Sequence, residues 1–567
     1  MSAQTHIRFG HSVPGPEFQP LFSPLTFPAL LERSFSGPAE QPALGFVQER
    51  PMSYGELRDC VSRLAGLLRA NGLHKGDKVA LLGENHPHWA AAFFAVTSIG
   101  AAAVPVMHEF PRPDIRRILA LSGSRAAFVS DKYRSVVEQG ELPPPGLVVR
   151  LEDLEVVGKT PGRPERDGAK PAEAVTEAVG EDDPASLVFT SGTSGFSKGV
   201  LLTQRNLVHN AMAIDQMCGR VVESDRLLSI LPLAHATECT LGLIIPVMKR
   251  ASVAYMDKPP SASALLPALA AVRPTIMIAV PLVMEKLFKT RIQPELKRKA
   301  LARRLTRFGP TRRLLHRLLG RTLAKSFGGC LRMFCMGGAS LSAETAAFLD
   351  EAGFPYTVGY GLTEAAPLVT GDPPSTFVSG SCGRPLPGVE VRLAGFDPAV
   401  GEGEIEVRGP NVMAGYYPSA GNVPAFTPDG WLKTGDIGAF DSRGSLYFRG
   451  RLKNVIVHSS GKKTYPEAIE SLLNVQPYVG ESLVREVDGA VTAFVALDPD
   501  QLESLRPRIV PGGTVREAAV AALLRSIMTD VNRRLPSWSR IRRIVEQKTP
   551  FEKTPSKKIR RGSGSSI

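Results

Sequence analysis

Apolar positions along the chain follow two rhythms. YGELRDCVSRLAGLLRANG (54–72) repeats them at three- and four-residue spacing, which predicts a helix, whereas KVALLG (78–83) and AAFVS (126–130) are short continuous apolar runs of strand length. Their alternation from about 52 to 180, resuming from 185 to about 370, predicts an α/β layered structure. From 380 to 450 the pattern becomes short strands and turns: GVEVRLAG, GEIEVRG and GSLYFRG. Past Arg451 a new unit begins, with PEAIESLLN as a helix, AVTAFVAL as a strand and 515–534 as a long helix. Residues 1–45 are proline-rich and read as mostly irregular, and 158–184 reads as a polar surface loop. No internal repeat is visible.

The run Trp89–Met107 carries no charge over a length close to a membrane span. Seven alanines and the interruptions at Gly100 and Pro105 predict instead a buried helix ending near Ser98, a glycine break, and a strand AAAVPV. Six scattered cysteines, with no C-x-x-C pair, suit a reducing compartment, so a cytoplasmic location is expected. The net charge of +13 is concentrated: Lys286–Lys325 holds 14 Lys and Arg against one acid, Glu295. Within it, Leu314, Leu315, Leu318, Leu319 and Leu323 recur at helical spacing, and Arg313, Arg317 and Arg321 line another face. The readings that stay open are a core-packed helix with a solvated basic face, or contact with an anionic membrane surface or an acidic partner. Nucleic acid is not expected, because aromatics are not interleaved with the cations.

The chemistry gathers in polar, glycine-bearing segments beside apolar strands. TSGTSGFSKG (190–199) lies between SLVF and GVLLT, so it reads as a loop joining two strands. Its glycines let backbone N–H groups converge on an anion, its hydroxyls add neutral donors, and Lys198 adds a charge. A plain Gly/Ser turn is the competing reading, and no Walker pattern is present. CMGGASLS (335–342), VGYGLTEAAP (358–367), GWLKTGDIGAFDSRG (430–444) and TPFEKTPSKKIRR (549–561) share this character. Each alone could be a turn, but five in this order are hard to explain as turns.

In combination, over roughly 25–561, these segments resemble the acyl-adenylate-forming (AMP-dependent synthetase/ligase) superfamily. LPLAHATECTLGL (231–243), KPPSASALL and VRPTIMIAVPLVMEKLF are most similar to long-chain fatty acyl-CoA synthetases. The resemblance implies an α/β protein with a large N-terminal adenylation domain (1–450), comprising α/β layers and a small β-rich subdomain at about 380–450. A small mobile α+β lid domain (451–561) would follow, hinged at about 451–453, and 562–567 would be a flexible tail. It implies that ATP and a fatty acid give an acyl-adenylate and pyrophosphate, after which coenzyme A takes the acyl group and AMP leaves.

The site residues follow from the same resemblance. Thr190, Ser191, Gly192, Thr193, Ser194, Gly195 and Lys198 would hold the β- and γ-phosphates, Glu364 would bind Mg²⁺, and Thr363 would reach the α-phosphate. Gly338, Ala339, Gly359, Tyr360 and Gly361 would form an adenine slot in which missing side chains let the ring lie against backbone. Asp436 would accept both ribose hydroxyls, with Arg451 adding a ribose or phosphate contact. Lys558 would stabilise charge on the α-phosphate, Lys453 would be the hinge, and the 459–467 loop around Gly461 would face the thiol. His235 would stand at the mouth of an acyl pocket between 232–245, 275–290 and the strand near 335, with Glu238 where long-chain members also carry an acid. Ser197 replaces a usual proline, and Lys557 replaces the glycine usual before the C-terminal lysine. Two alternatives remain: a ligase that loads an acyl-carrier protein, and a non-catalytic lipid or nucleotide binder.

Overall fold

The computed structural model describes residues 12–138, 145–159, 177–190, 198–258, 261–298, 305, 308–418, 425–503, 513–554 and 559–561. Two large sheets organise the chain. One is eight-stranded, in the order 415–417, 198–203, 184–190, 102–106, 78–82, 126–129, 147–150, 156–159. Its central neighbours pair in parallel, and its outer pairs are antiparallel. The other is seven-stranded, in the order 356–358, 333–336, 276–279, 226–229, 252–255, 42–46, 52–53, and all but the last pair are parallel. Val79 to Leu82 are completely buried, as continuous apolar strands covered on both faces must be.

The uncharged run behaves as its sequence demands. Pro87–Ser98 is a helix that buries ten of its twelve residues, and Gly100 follows at φ +74°. It packs on strands 78–82 and 102–106 of one sheet and on 42–46 of the other. A helix that is apolar all round can be satisfied only in such an interior position. Among the described residues no helix is long and apolar enough to cross a membrane.

The expectation of an irregular N-terminal 45 residues is corrected. Phe27–Phe35 is a helix, with Thr26 as N-cap accepting from the Ala29 N–H, and Pro42–Phe46 is a strand. The helix buries Phe27, Leu30, Leu31 and Ser34, at spacing i, i+3, i+4, i+7, and Phe27 meets the edge of Phe93 at 5.5 Å. Pro28 sits in the first turn, where it breaks no intrahelical hydrogen bond.

A five-stranded antiparallel sheet (13–14, 390–397, 402–408, 432–440, 446–451) supplies the β-rich part. Beyond it, helix Pro466–Asn474, hairpin 479–497, helix Gly513–Asn532 and strand 543–546 enclose their own cluster, which includes Ile469, Leu473, Val484, Val495, Leu524 and Val531. Tyr465 Oη donates to Glu402 Oε2 at 2.5 Å, fastening this portion to the five-stranded sheet, within which Arg449 Nε holds Glu402 Oε1 at 3.1 Å.

Helix Gly309–Ser326 seats only part of its leucine row: Leu323 is buried and Leu319 packs on the core, but Leu314 and Leu318 do not. Its seated side is His316, Gly320 and Leu323, followed by Phe327. His316 Nδ1 and Arg312 Nη2 both meet Glu351, at 2.8 and 2.6 Å. Gly320 allows close approach, since a Cβ there would stand 2.6 Å from Ala352 Cβ. Leu314 and Leu318 point away from this contact and are 61% and 51% exposed.

Candidate functional site

The candidate residues collect where the parallel strands of the seven-stranded sheet end, the usual location of ligand sites in such sheets. Strand 333–336 runs into Gly337–Ala339 and strand 356–358 into Gly359–Gly361, joined by the Gly359 N–H donating to Met336 O at 2.9 Å. Strands 184–190 and 198–203 form the expected hairpin, and Thr190 pairs with Lys198 across its mouth. Ser191, Gly192, Thr193, Ser194, Gly195 and Ser197 lie outside the described residues, as do Lys557, Lys558 and the tail 562–567.

Lys198 and Glu364 are brought together by a residue the sequence reading missed. Lys198 Nζ lies over the Tyr416 ring, 4.9 Å from its centroid, and Tyr416 Oη donates to Glu364 Oε1 at 3.0 Å. Strand 415–417 lies beside strand 198–203, so Tyr416 reaches both. Burial, together with the Glu364 carboxylate, pushes the Tyr416 hydroxyl far above its ordinary range and keeps it a donor. Glu364 is the middle residue of a single 3₁₀ turn, Thr363–Ala365, and its carbonyl accepts from the Met413 N–H at 2.9 Å. Glu364 Oε2 has no hydrogen-bond partner among the described residues, which leaves one hard oxygen available to a cation.

Four residues before Glu364, Tyr360 Oη donates to Asp436 Oδ2 at 2.9 Å, and its ring stacks on Phe448 at 6.3 Å. Asp436 is buried, stands opposite Arg451 in the register with strand 446–451, and has Oδ1 3.4 Å from Arg451 Nε. Burial first, and Asp436 second, raise Tyr360 well above its ordinary value. The stretch 360–364 thus joins Asp436 and Arg451 on one side to Lys198 and Tyr416 on the other.

The sequence from 31 to 417, which holds this hairpin and the 360–364 stretch, matches the model of the AMP-binding enzyme family. The chain belongs to the AMP-binding enzyme family. It is 31% identical over 467 residues to the long-chain-fatty-acid–CoA ligase FadD15 of Mycobacterium bovis, covering 77% of this chain and 76% of that protein. It is 30% identical over 440 residues to a feruloyl-CoA synthase of an Amycolatopsis species, covering 76% of this chain and 79% of that protein. A crystal structure of the anthranilate CoA ligase AuaEII with anthranoyl-AMP superposes at a TM-score of 0.74, over 96% of each chain at 22% identity, a likeness of fold. By family and fold the chain is an AMP-forming acyl-CoA ligase.

The glycines expected in the adenine slot meet a packing constraint as well. A Cβ on Gly361 would stand 2.0 Å from Pro367 O, and one on Gly359 would stand 2.8 Å from Leu368 Cδ1. Packing against 367–370 thus forbids a side chain at both positions, while Gly361 itself stays exposed. Gly338 alone faces open space, at φ +80°. The expected acyl-pocket segments also differ in part: Leu243, Ile244, Ile245 and Val247 are core residues, while Leu231, Leu241, Val283 and Cys335 are only partly buried.

His235 lies in loop 230–237, where its Nδ1 accepts from the Thr237 N–H at 3.3 Å and its carbonyl accepts from the Cys239 N–H. Beneath it is a polar network that the sequence did not announce. Asn85 donates to Ser229 Oγ and to Leu231 O and accepts from the Leu233 N–H, at 2.7–3.0 Å. Ser229 Oγ donates to Glu238 Oε1 at 2.5 Å. Glu238 opens a π-helical turn, 238–244, and a Cβ on Gly242 would collide with its carboxyl. Burial holds the Glu238 carboxyl up at about 8, although the Ser229 bond pulls it down.

At the junction to the C-terminal portion, Lys453 lies in a 3₁₀ turn, Leu452–Asn454. Partial burial and the Arg451 and Arg561 guanidinium groups lower its pKa. Gly461, at φ +75°, turns the hairpin between strands 456–457 and 463–464. Among the described residues no group of three or more His, Cys, Asp or Glu could hold a metal on its own.

Proposed function

We propose that this ligase activates a medium- to long-chain fatty acid with ATP and transfers the acyl group to coenzyme A. The observation that carries the site assignment is the chain of contacts Lys198–Tyr416–Glu364 and Tyr360–Asp436–Arg451, joined by one five-residue stretch. In the first step a carboxylate oxygen attacks the α-phosphorus and the bond to the bridging oxygen of pyrophosphate breaks. Both reactants are anions, so cations must offset their repulsion. Lys198, with Thr190, Ser191, Gly192, Thr193, Ser194 and Gly195, would take the outer phosphates, and Lys558 and Thr363 the α-phosphate. Asp436 would hold the ribose, oriented by the Tyr360 hydroxyl, and Arg451 would stand beside it.

Glu364 fits a magnesium ion: a carboxylate with one unpaired oxygen, next to substrate phosphates, is how proteins commonly hold that ion. When bound, the ion would neutralise phosphate charge. In the second step the thiolate attacks the acyl carbonyl and AMP leaves as its own stable anion. Lys453 would be the pivot that exchanges the Lys558 segment for the Gly461 turn between steps.

Support for the acyl class is the long-chain relative and the partly open apolar side chains Leu231, Leu241, Val283 and Cys335 in the segments that flank His235. Each methylene buried adds about 0.8 kcal/mol, so an apolar pocket favours longer acids. The test is pyrophosphate release with acetate, octanoate, palmitate, oleate and ferulate, with CoA or an acyl-carrier protein as acceptor. The expected order places palmitate or oleate first, with CoA required for turnover. A higher kcat/KM for ferulate overturns the fatty-acid assignment and leaves the ligase standing. Transfer to the carrier protein alone overturns the CoA assignment.

A further inference from the structure

We infer that the exposed face of helix Gly309–Ser326 is a docking surface for anionic lipid bilayers. The helix carries five cations and no acid. With His316, Gly320 and Leu323 seated against the body, the opposite arc presents Arg313, Leu314, Arg317, Leu318, Arg321 and Lys325, all exposed. At 3.6 residues per turn these six share one side of a rod about 27 Å long. Phe308, immediately before the helix, is 66% exposed. None of Arg313, Arg317, Arg321 and Lys325 forms an ion pair among the described residues, although Arg312, on the seated side, is paired with Glu351.

The interleaving decides the partner. A single exposed leucine is ordinary, but apolar side chains gathered along one arc mark an interaction surface. Here the helix seats His316, Gly320, Leu323 and, in part, Leu319 against the body, and leaves Leu314 and Leu318 together on the outer arc, among cations with no ion pair among the described residues. An acidic protein would satisfy the arginines but has no need of leucines scattered between them, and protein interfaces are depleted of charge at their apolar centres. A lipid surface takes both at once. Leucine and phenylalanine enter the acyl boundary, while the long Arg and Lys stems lie along it with their charges among phosphate headgroups. At the C-terminal end of the helix a groove of about 450 Å³ continues this chemistry, with Leu266 and Ala270 beside Arg273 and Lys325.

The test uses the purified full chain with phosphatidylcholine vesicles, with and without phosphatidylglycerol, at low and high salt. Binding is expected to the anionic vesicles only, and to weaken with salt. R313Q/R317Q/R321Q should reduce the partition coefficient roughly 100-fold, about 1 kcal/mol per cation. L314S/L318S should reduce it about tenfold. Acyl-CoA formation from octanoate should be unchanged in both variants, which separates this surface from the ligase site. No binding of the wild type to anionic vesicles overturns the proposal, whatever the activity. So does retention of full binding by L314S/L318S, which would mean adsorption by charge alone. Capture of an acyl-carrier protein through the same arginines, without vesicle binding, assigns the surface to a protein partner instead.

Discussion

Replacing Glu238 with glutamine tests the buried network under loop 230–237. The native carboxyl is fully buried and sits at about 8 against an ordinary 4.5. An acid raised on folding keeps its proton in the native state where the unfolded chain has already lost it. Stability contributed by this site therefore falls as pH rises from 4.5 through about 8, and the loss is complete above that window. The gap from 4.5 to about 8, at about 1.4 kcal/mol per pKa unit, sets a ceiling of roughly 5 kcal/mol. Between pH 6 and 9 roughly 2–3 kcal/mol of it is lost. Glutamine has the same shape, keeps a carbonyl for the Ser229 hydroxyl, and carries no titrating proton. The nearby Tyr255 and Cys239 stay protonated across this range, because burial pushes both upward. The melting temperature of the wild type relative to E238Q should thus drop by about 2–3 °C between pH 6 and pH 9. Differential scanning fluorimetry of the two proteins at both values checks this. A gap between them that does not move with pH refutes the buried, protonated carboxyl.

Three further outcomes follow from the site geometry. Y360F leaves Asp436 Oδ2 without its buried donor, a loss of roughly 1–3 kcal/mol, and should raise the KM for ATP about tenfold in pyrophosphate exchange, with little change in the KM for the acid. E364Q should lower pyrophosphate release by roughly 10²–10³, whereas Y416F, which keeps the carboxylate and removes only its donor, should cost about tenfold; single-turnover adenylate formation measures both. G361A must displace the Pro367 carbonyl, because its Cβ would stand 2.0 Å away, and should yield little folded protein. G338A meets open space and only the strain of φ +80°, roughly 1–2 kcal/mol, so it should fold with a modestly lowered melting temperature.

The layered α/β fold was legible because continuous apolar strands and amphipathic helices alternate, and both signals are local. Phe27–Phe35 escaped because its Pro28 and short length look like loop chemistry, although its buried positions carry helical spacing. Tyr416 escaped for a stronger reason. Nothing in MAGYYPS distinguishes it from an ordinary edge-strand aromatic; its meaning comes from pairing with strand 198–203, more than two hundred residues earlier. The glycines at 359 and 361 were found, but a packing constraint on them was not: the carbonyl and side chain that forbid a Cβ there arrive from 367–370.

The helix 309–326 makes the same point about faces. Periodicity shows that a helix has sides; it does not say which side meets the body. The leucine row looked like the core face because leucine outranks histidine and glycine in apolarity. What seats the helix is instead local complementarity with Glu351 and Ala352, a carboxylate for His316 and Arg312 and a small side chain opposite Gly320. A sequence that chose this seating gave up the burial of two leucines, each worth about 1.5–3 kcal/mol when fully removed from water. That forgone burial would be recovered if Leu314 and Leu318 enter a bilayer, which is why the leucine variant, more than the arginine variant, decides whether the surface is built for lipid.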